Sequence, residues 1–283
     1  MPLVYGCIAP HGGELIPELA GKKAGEFAPL RKGMSEVAAQ LEAADPDTIV
    51  VASPHNLRLL KHIGVVVSEN TSGTVAEGKA SVSLSARCDL ALARKIIAAA
   101  EAARLPVVGA NYGALEGPAS DLAMDWGTLI PLWFLLGAKE RGRRVVVVTP
   151  SRGIPLRQNY DFGAAVARAA EGSRRRVAFV ASADQAHAHR KDGPYGFSPL
   201  AKRYDARVQE AIRRGRLSDV MRFGRALVEG AKPDSLWQMA MLAGALGVVP
   251  MEGTLFSYRA PSYYGMLCAG FVRRGVRTAA ARP

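Results

Sequence analysis

The sequence predicts an α/β fold in which a central, mostly parallel (mixed) sheet is flanked by helices on both faces. Short apolar runs rich in β-branched residues recur along the chain and are typical of strands buried on both faces. Stretches with helical periodicity separate these runs, and such alternation indicates a parallel sheet. With 283 residues, 49% of them hydrophobic, the chain can build a substantial core, and we expect one domain over residues 1–283.

Each predicted element has its own pattern. Continuous or nearly continuous apolar runs predict strands at 3–9, 48–52, 65–68, 144–149 and 177–181. Alternating apolar residues predict an antiparallel or edge strand at 80–86, and 257–258 with 267–271 predict a final hairpin. Apolar residues at helical spacing predict helices around 34–41, 90–97, 162–166, 206–213 and 235–246. The Gly-rich segment 109–125 is expected to form a loop over the site.

Composition excludes several classes of function. The net charge is +12, but the basic residues form short scattered clusters without interleaved aromatic residues, which disfavours nucleic-acid binding. A basic surface would instead attract anionic aromatic acids. The three cysteines are widely spaced, which predicts neither disulfides nor a thiolate zinc site. The sequence shows no signal peptide and no run of about 18 apolar residues, so we expect a cytoplasmic protein that binds no membrane.

Histidines follow the ends of three predicted strands. His11 follows the first strand and His55 follows the second. Asp184 and His187 follow the strand at 177–181. Because ligands of an open parallel sheet bind outside the carboxyl ends of its strands, we expect these side chains to meet at one edge. Two imidazoles and one carboxylate form the facial arrangement of non-haem Fe(II) oxygenases, so the pattern predicts a metal site.

The two remaining histidines have other predicted roles. His62 lies near no strand end and is expected on the surface. His189 is expected either in solvent or as a support for His187. The alternative for the Pro-His pairs at His11 and His55 is that they are ordinary loop starts, but two of them at equivalent strand ends favour a site.

Several short segments occur in order along nearly the whole chain. They are Ala9-Pro10-His11, Ser53-Pro54-His55, the run 125–132 that begins Asp125-Trp126-Gly127, the run 159–163, Asp184 to His187 followed by 192–197, and Gly244-Ala245-Leu246 with Ser257-Tyr258. In this order they resemble the LigB-type superfamily of class III extradiol ring-cleavage dioxygenases. The resemblance is greatest to the bacterial branch related to Memo-like and AMMECR-linked proteins.

The resemblance implies a LigB-like fold and a catalytic metal site. It implies that His11 and His55 hold a non-haem Fe(II) ion. It also implies that His187 is the acid/base residue beside the bound substrate and O2, a role that imidazole suits because it exchanges protons near neutral pH.

The third metal ligand is implied by the position of a helix. The family usually has a glutamate just before the helix that ends in a Gly-Ala-Leu-like turn, and the matching residue here is Asp234. Asp234 could equally cap that helix, with Ser235 as an alternative cap. Glu252 is the reserve carboxylate. Asp184 is expected to line the site as a hydrogen-bonding residue rather than a ligand.

Three further residues are expected to form the wall of the substrate pocket, namely Trp126, Tyr195 and Arg259. Many family members have a histidine where Trp126 stands, and an indole can donate through its N–H but cannot relay a proton. Members of the nearest branch tend to have a glutamate where Arg259 stands. A guanidinium there could bind a substrate carboxylate through two hydrogen bonds, or it could lie on the surface.

The resemblance therefore predicts an extradiol dioxygenase that opens the ring of a catechol- or 2-aminophenol-type aromatic with O2. The second hypothesis is a non-catalytic Memo-like or partner-subunit member that binds a metal or a protein, which Trp126 and the aspartate at the third ligand position favour. A zinc hydrolase is a third hypothesis, disfavoured because the expected extra carboxylates are lacking. Relatives suggest a homodimer or a hetero-oligomer with a partner subunit.

Overall fold

A large mixed β-sheet forms the centre of the fold. This computed structural model describes residues 2–136 and 142–273, so the remaining residues of the expected domain, 1, 137–141 and 274–283, lie outside the description. The strands in the described ranges are β1 (Leu3–Ala9), β2 (Thr48–Ala52), β3 (Ile63–Val66), β4 (Asn70–Glu77), β5 (Ala80–Arg87), β6 (Val107–Ala110), β7 (Asp121–Ala123), β8 (Arg144–Thr149), β9 (Val177–Ser182), β10 (Glu252–Arg259) and β11 (Met266–Val272).

The order of strands in the large sheet is β10-β11-β1-β9-β2-β8-β3-β6. The neighbours β1, β9, β2 and β8 are parallel, whereas β11 on one side and β3 on the other run antiparallel to them. The prediction of a mostly parallel, mixed sheet is therefore confirmed. The four parallel strands end at the same edge of the sheet, which is where ligands of such folds bind.

Helices cover both faces of this sheet. They are α1 (Pro17–Ala20), α2 (Ala28–Ala44), α3 (Leu90–Ala102), α4 (Trp126–Leu136), α5 (Leu156–Glu171), α6 (Pro199–Arg213), α7 (Arg225–Ala231) and α8 (Leu236–Val248). Ile8 and Val50 belong to the core that α3, α5, α6 and α8 complete. Cys7 and Val51 belong to the core on the α2 and α4 side. Because successive strand residues enter different cores, the central strands are apolar throughout.

Helices α5 and α8 pack backbone against backbone. A Cβ at Gly163 would lie 1.7 Å from the carbonyl oxygen of Met241, and a Cβ at Gly244 would lie 1.8 Å from that of Tyr160. Only glycine permits such an approach. Two of the segments that carry the family resemblance thus fix the position of α8 and of the residues just before it.

A second sheet has the order β5-β4-β7. The predicted antiparallel strand at 80–86 is confirmed, since β5 pairs antiparallel with β4. The sequence does not predict β4 because this strand is polar and lacks an apolar run. The expectation of a loop over 109–125 is wrong in part, because β6 ends there and β7 lies within it. None of these residues lines the cavity that contains His11.

Strands β10 and β11 form the predicted final hairpin, with pairing along most of both strands. This hairpin extends the large sheet beyond β1. Strand β11 lies next to β1 and antiparallel to it, and β10 forms the edge of the sheet. In the described ranges, no helix is both long enough and apolar enough to cross a bilayer.

Candidate metal centre and active site

Three neighbouring parallel strands bring polar side chains to one edge of the large sheet. β1 is followed by His11 and β2 is followed by His55. Between them, β9 ends at Ser182 and is followed by Asp184. Ala9 lies opposite Ser182 in the parallel register of β1 and β9. The shared register ends these strands at the same level, so the residues that follow them lie at one edge of the sheet.

His11, His55 and Asp234 form a compact group of donor atoms. The Nε2 atoms of the two histidines are 3.2 Å apart. Oδ2 of Asp234 lies 3.3 Å from Nε2 of His11 and 3.1 Å from Nε2 of His55. Atoms bound to one ion at about 2.1 Å and at right angles lie about 3 Å apart, so this spacing suits a divalent cation.

Burial and mutual attraction shift the pKa values of these groups. Burial alone would raise the pKa of Asp234, but His11 and His55 hold it well below its usual range. Burial alone would lower the pKa of His11, but Asp184 and Asp234 raise it to about 9. Burial raises the pKa of Asp184 to about 6, although His11 opposes the rise. The cluster therefore attracts positive charge, either as a proton on His11 or as a metal ion in its place.

Hydrogen bonds fix the ring of His11. Nδ1 of His11 lies 2.9 Å from Oγ of Ser182, and that hydroxyl donates to the carbonyl oxygen of Gly127. Because the hydroxyl proton is used toward Gly127, Oγ accepts from Nδ1–H of His11. Nε2 of His11, which faces Asp234, then keeps the lone pair that is needed to bind a metal ion.

Stacking, rather than a hydrogen bond at Nδ1, supports the ring of His55 on the side away from Asp234. Its ring lies over Trp126 with centroids 4.2 Å apart and an interplanar angle of 25°. Its Nδ1 is buried without a hydrogen-bond partner among the described residues, and so is Oδ1 of Asp234. The two imidazoles of the cluster are thus held by different kinds of contact.

The segment around Trp126 joins the start of α4 to the end of β2. Asp125 accepts hydrogen bonds from Oγ of Ser53 at 2.6 Å and from Oγ1 of Thr128 at 2.7 Å. A Cβ at Gly127 would lie 2.6 Å from Oγ of Ser53, so a side chain there would displace the contact. These contacts hold Trp126 beside the three donor residues.

His187 lines the same cavity as the three donor residues. Its Nδ1 lies 2.9 Å from the carbonyl oxygen of Gln185 and must donate to it, which leaves Nε2 free to accept a proton. Its ring stacks on Tyr264 with centroids 5.4 Å apart and meets Tyr195 edge-on at 5.9 Å. The geometry suits a proton-transferring group whose ring is held by aromatic neighbours.

His189 belongs to a buried network under the loop that carries His187. Its Nε2 lies 2.8 Å from Oδ2 of Asp205, which also accepts from the hydroxyl of Tyr258 at 2.7 Å. Oδ1 of Asp205 accepts from the backbone N–H of Ala186 at 2.9 Å. His189 is therefore not in solvent, and it supports His187 only through the backbone of the loop. His62 is exposed, as predicted.

The donor cluster opens into a cavity of about 660 Å³. Of the predicted pocket residues, Trp126, Asp184 and Tyr195 line it. The structure does not bring Arg259 to this cavity, because that residue lies at the end of the edge strand β10, separated from β1 by β11. Its guanidinium donates to the carbonyl oxygen of Tyr258 at 3.0 Å and lines a separate depression.

The candidate residues for the third ligand, Asp234 and Glu252, lie in different places. Glu252 begins β10 and lines a different depression from the one that contains His11. Ser235 makes no capping hydrogen bond to α8, and its hydroxyl lies 2.9 Å from that of Tyr204. Asp234 directs its carboxylate to the two histidines instead of to the helix. Of the two proposed carboxylates, the structure brings only Asp234 to His11.

Sequence reasoning missed several residues of the site, both beside the donor atoms and along the cavity. Ser182 ends β9 and Arg152 follows β8, so the strand-end argument that found His11 could have found them. The others have no local signal, because they come from loops and from the start of α8. They are Arg58, Lys232, Trp237, Tyr263 and Tyr264.

Known proteins are similar to this chain in sequence or in fold. Protein CA_C1420 of Clostridium acetobutylicum is 25% identical over 252 residues, which cover 89% of this chain and 53% of that protein. The chain thus spans about half the length of this relative. An uncharacterized protein of Escherichia coli K12, JW3007, has a crystal structure with the same fold, at a TM-score of 0.59 and 16% identity. The similarity covers 94% of this chain and 99% of that one.

A family model matches most of the chain as well. Its description is the catalytic LigB subunit of aromatic ring-opening dioxygenase, and the match covers residues 5–269. These residues include His11, His55, His187 and Asp234. The chain therefore belongs to the LigB family of aromatic ring-opening dioxygenase subunits.

Proposed function

We propose that this protein is a non-haem Fe(II)-dependent extradiol dioxygenase that opens the ring of a catechol- or 2-aminophenol-type aromatic with O2. The observation that carries the proposal is the convergence of His11, His55 and Asp234 in a cavity that also contains His187. Two neutral imidazoles and one carboxylate suit ferrous iron and leave coordination positions for a bidentate substrate and O2.

The residues present fit a resident metal ion. His11 presents Nε2 in the tautomer that binds metal, because Ser182 accepts from its Nδ1–H. Oδ1 of Asp234 is a buried acceptor without a partner among the described residues, so it is available to a bound cation. A ferrous ion bound there would supply the redox chemistry that lets O2 react with an aromatic ring.

We assign proton transfer to His187. Its Nδ1–H donates to the carbonyl oxygen of Gln185, so its Nε2 can accept a proton from a hydroxyl or amino group of the substrate. The same nitrogen can return that proton at a later stage of the reaction. Tyr264 and Tyr195 restrict rotation of the ring, and Trp126 supplies an aromatic wall for a flat substrate.

Trp126 also favours a second candidate function, binding of a metal or a partner protein without turnover. Many members of the family have a histidine at this position, and an indole cannot relay a proton. The hydrogen-bonded His187 favours catalysis, because a member that only binds a metal needs no such residue beside it.

Metal binding is the first test. Anaerobically purified protein titrated with Fe(II) should bind a single ion, and His55→Ala should abolish binding. His62→Ala is the matched control, because this histidine is exposed and should leave binding unchanged. Stoichiometric binding that survives His55→Ala would refute the site.

Turnover is the second test. Iron-loaded protein should consume O2 with some catechols or 2-aminophenols and form a yellow ring-opened product. An oxygen electrode and an absorbance scan measure both. Stoichiometric iron without O2 uptake across a wide panel would favour the non-catalytic candidate.

A further inference from the structure

Three basic side chains, Arg58, Arg152 and Lys232, line the same cavity as the donor cluster. Apart from Asp184 and Asp234 of that cluster, the carboxylate among the described lining residues is Glu229, which is already paired with Arg225 at 2.6 Å. In the described ranges, none of the three basic side chains forms an ion pair with a carboxylate. The cavity therefore contains three basic side chains that are not paired directly with a carboxylate.

Arg152 is the most firmly placed of the three. It follows β8, the parallel neighbour of β2, and so comes from the same sheet edge as His55. Its guanidinium carbon lies 4.5 Å from the ring centroid of Trp237, in the first turn of α8. This cation–π contact holds the guanidinium by its face and leaves its N–H donors available to a ligand.

The guanidinium also lies within electrostatic range of the donor cluster. Burial against the cavity wall and repulsion by Arg58 lower the pKa of Arg152, while Asp234 opposes this shift. Arg152 remains exposed to solvent, so a ligand that enters the cavity can reach it. Because Arg58 and Arg152 line the same cavity as the donor cluster, a flat ligand bound at the cluster can extend toward both of them.

We propose that Arg152, assisted by Arg58, binds a carboxylate on the substrate while the opposite end of the aromatic ring faces His11, His55 and Asp234. A carboxylate matches the planar guanidinium through two parallel hydrogen bonds, and Lys232 adds a third positive charge. The contact between the aromatic ring and the three donor residues rests on the proposed function. Binding of the carboxylate by Arg152 can be measured without turnover. Arg152 thus takes the role that the sequence offered for Arg259.

The test compares two ligands that differ only in charge, a dihydroxybenzoate and its methyl ester. Calorimetry under anaerobic conditions measures their affinity for the metal-loaded protein. The wild-type protein should bind the acid roughly tenfold to a hundredfold more tightly than the ester, as expected for charge-assisted hydrogen bonds. Raising the salt concentration should reduce this preference.

Arg152→Gln should remove most of the preference while leaving the affinity for the ester unchanged. Arg58→Gln should reduce the preference less, and Arg259→Gln, at the separate depression, is the matched control without effect. Equal affinity of the wild type for acid and ester, or a preference that survives Arg152→Gln, would overturn the proposal. Because the readout is binding, acid preference without ring cleavage supports the subsite even if the proposed reaction fails.

Discussion

Nδ1 of His11 lies 2.9 Å from Oγ of Ser182, and the Ser182 hydroxyl donates to the carbonyl oxygen of Gly127. The serine therefore determines which nitrogen of His11 carries the proton. It connects the end of β9 to the proposed ligand that follows β1, so the order of neighbouring parallel strands determines the geometry of the proposed metal centre. Residues that orient a ligand in this way tune metal affinity although they do not touch the ion.

Ser182→Ala should weaken metal binding by roughly tenfold to a hundredfold, because His11 loses the partner of its Nδ1–H. A competition titration with a fluorescent chelator measures the affinity. Ser151→Ala is the matched control, since this buried serine follows β8 and donates to the carbonyl oxygens of Leu59 and Leu60. Equal metal affinity of the Ser182 variant and the wild type would contradict the role of Ser182.

The metal-free protein should lose stability as the pH rises from 7 to 10. The ordinary pKa of histidine is 6.5, and in the fold that of His11 is about 9. Protonated His11 therefore stabilises the fold fully below about pH 6.5, and this contribution disappears as the pH passes through about 9. The difference in pKa corresponds to about 3 kcal/mol.

The carboxylates of the cluster change little in this window. The depressed pKa of Asp234 gives a stabilising contribution that is lost only in strong acid. The raised pKa of Asp184, about 6, stabilises the fold in acid, and this contribution is lost as the pH rises from about 4 through about 6, so little of its change falls above pH 7. Urea unfolding with a chelator present measures the change, and His11→Asn should lose much less stability over the same range. Equal losses in the two proteins would show that His11 is not the responsible group.

The fold and two of the proposed ligands could be predicted from local sequence. The central strands are apolar on both faces, and parallel strands bring their ends together, so His11 and His55 were found without any knowledge of the packing. The parallel strand order β1-β9-β2 turns these two sequence positions into neighbours in space.

Asp234 and Arg259 show where local reasoning fails. The position of Asp234 depends on α8, which is placed by the close contact of Gly163 and Gly244 with the backbone of the facing helix. No local pattern contains that contact, and only the family resemblance indicated the residue. The sequence places Arg259 in the pocket, but the structure places it on the edge strand β10, because strand order cannot be read from a single strand. Tyr263, in the turn before β11, lines the cavity, and this placement also depends on strand order.

His187→Gln should keep the metal and lose turnover by roughly a hundredfold to ten-thousandfold, which is the range for removal of a general acid/base. Glutamine keeps a polar side chain of similar size but cannot transfer a proton near neutral pH. Metal titration and O2 uptake on the same sample separate the two effects. Loss of the metal together with the activity would mean that His187 is a ligand and that its assignment is wrong.

Asp205→Asn should impair turnover without changing metal affinity. The amide would place an N–H₂ group or an oxygen against His189, Tyr258 and the backbone N–H of Ala186, so at least one hydrogen bond is lost. We expect a loss of about 1–3 kcal/mol in the free energy of unfolding. Tyr258→Phe removes one donor only and should have a smaller effect on stability and turnover. A change in metal affinity that equals the change in turnover would argue against positioning of the His187 loop.

Trp126→Ala should weaken metal binding, because stacking on the indole helps to orient the ring of His55. Its ring lies 4.2 Å from Trp126, and its buried Nδ1 has no hydrogen-bond partner among the described residues. An aromatic pair contributes about 0.5–1.5 kcal/mol, which corresponds to roughly twofold to tenfold in affinity. Trp126→Phe keeps an aromatic face and should restore most of the binding, as measured by the same chelator competition. If alanine and phenylalanine weaken binding equally, the indole N–H matters and not the stacked ring. If neither does, the metal itself is sufficient to hold His55.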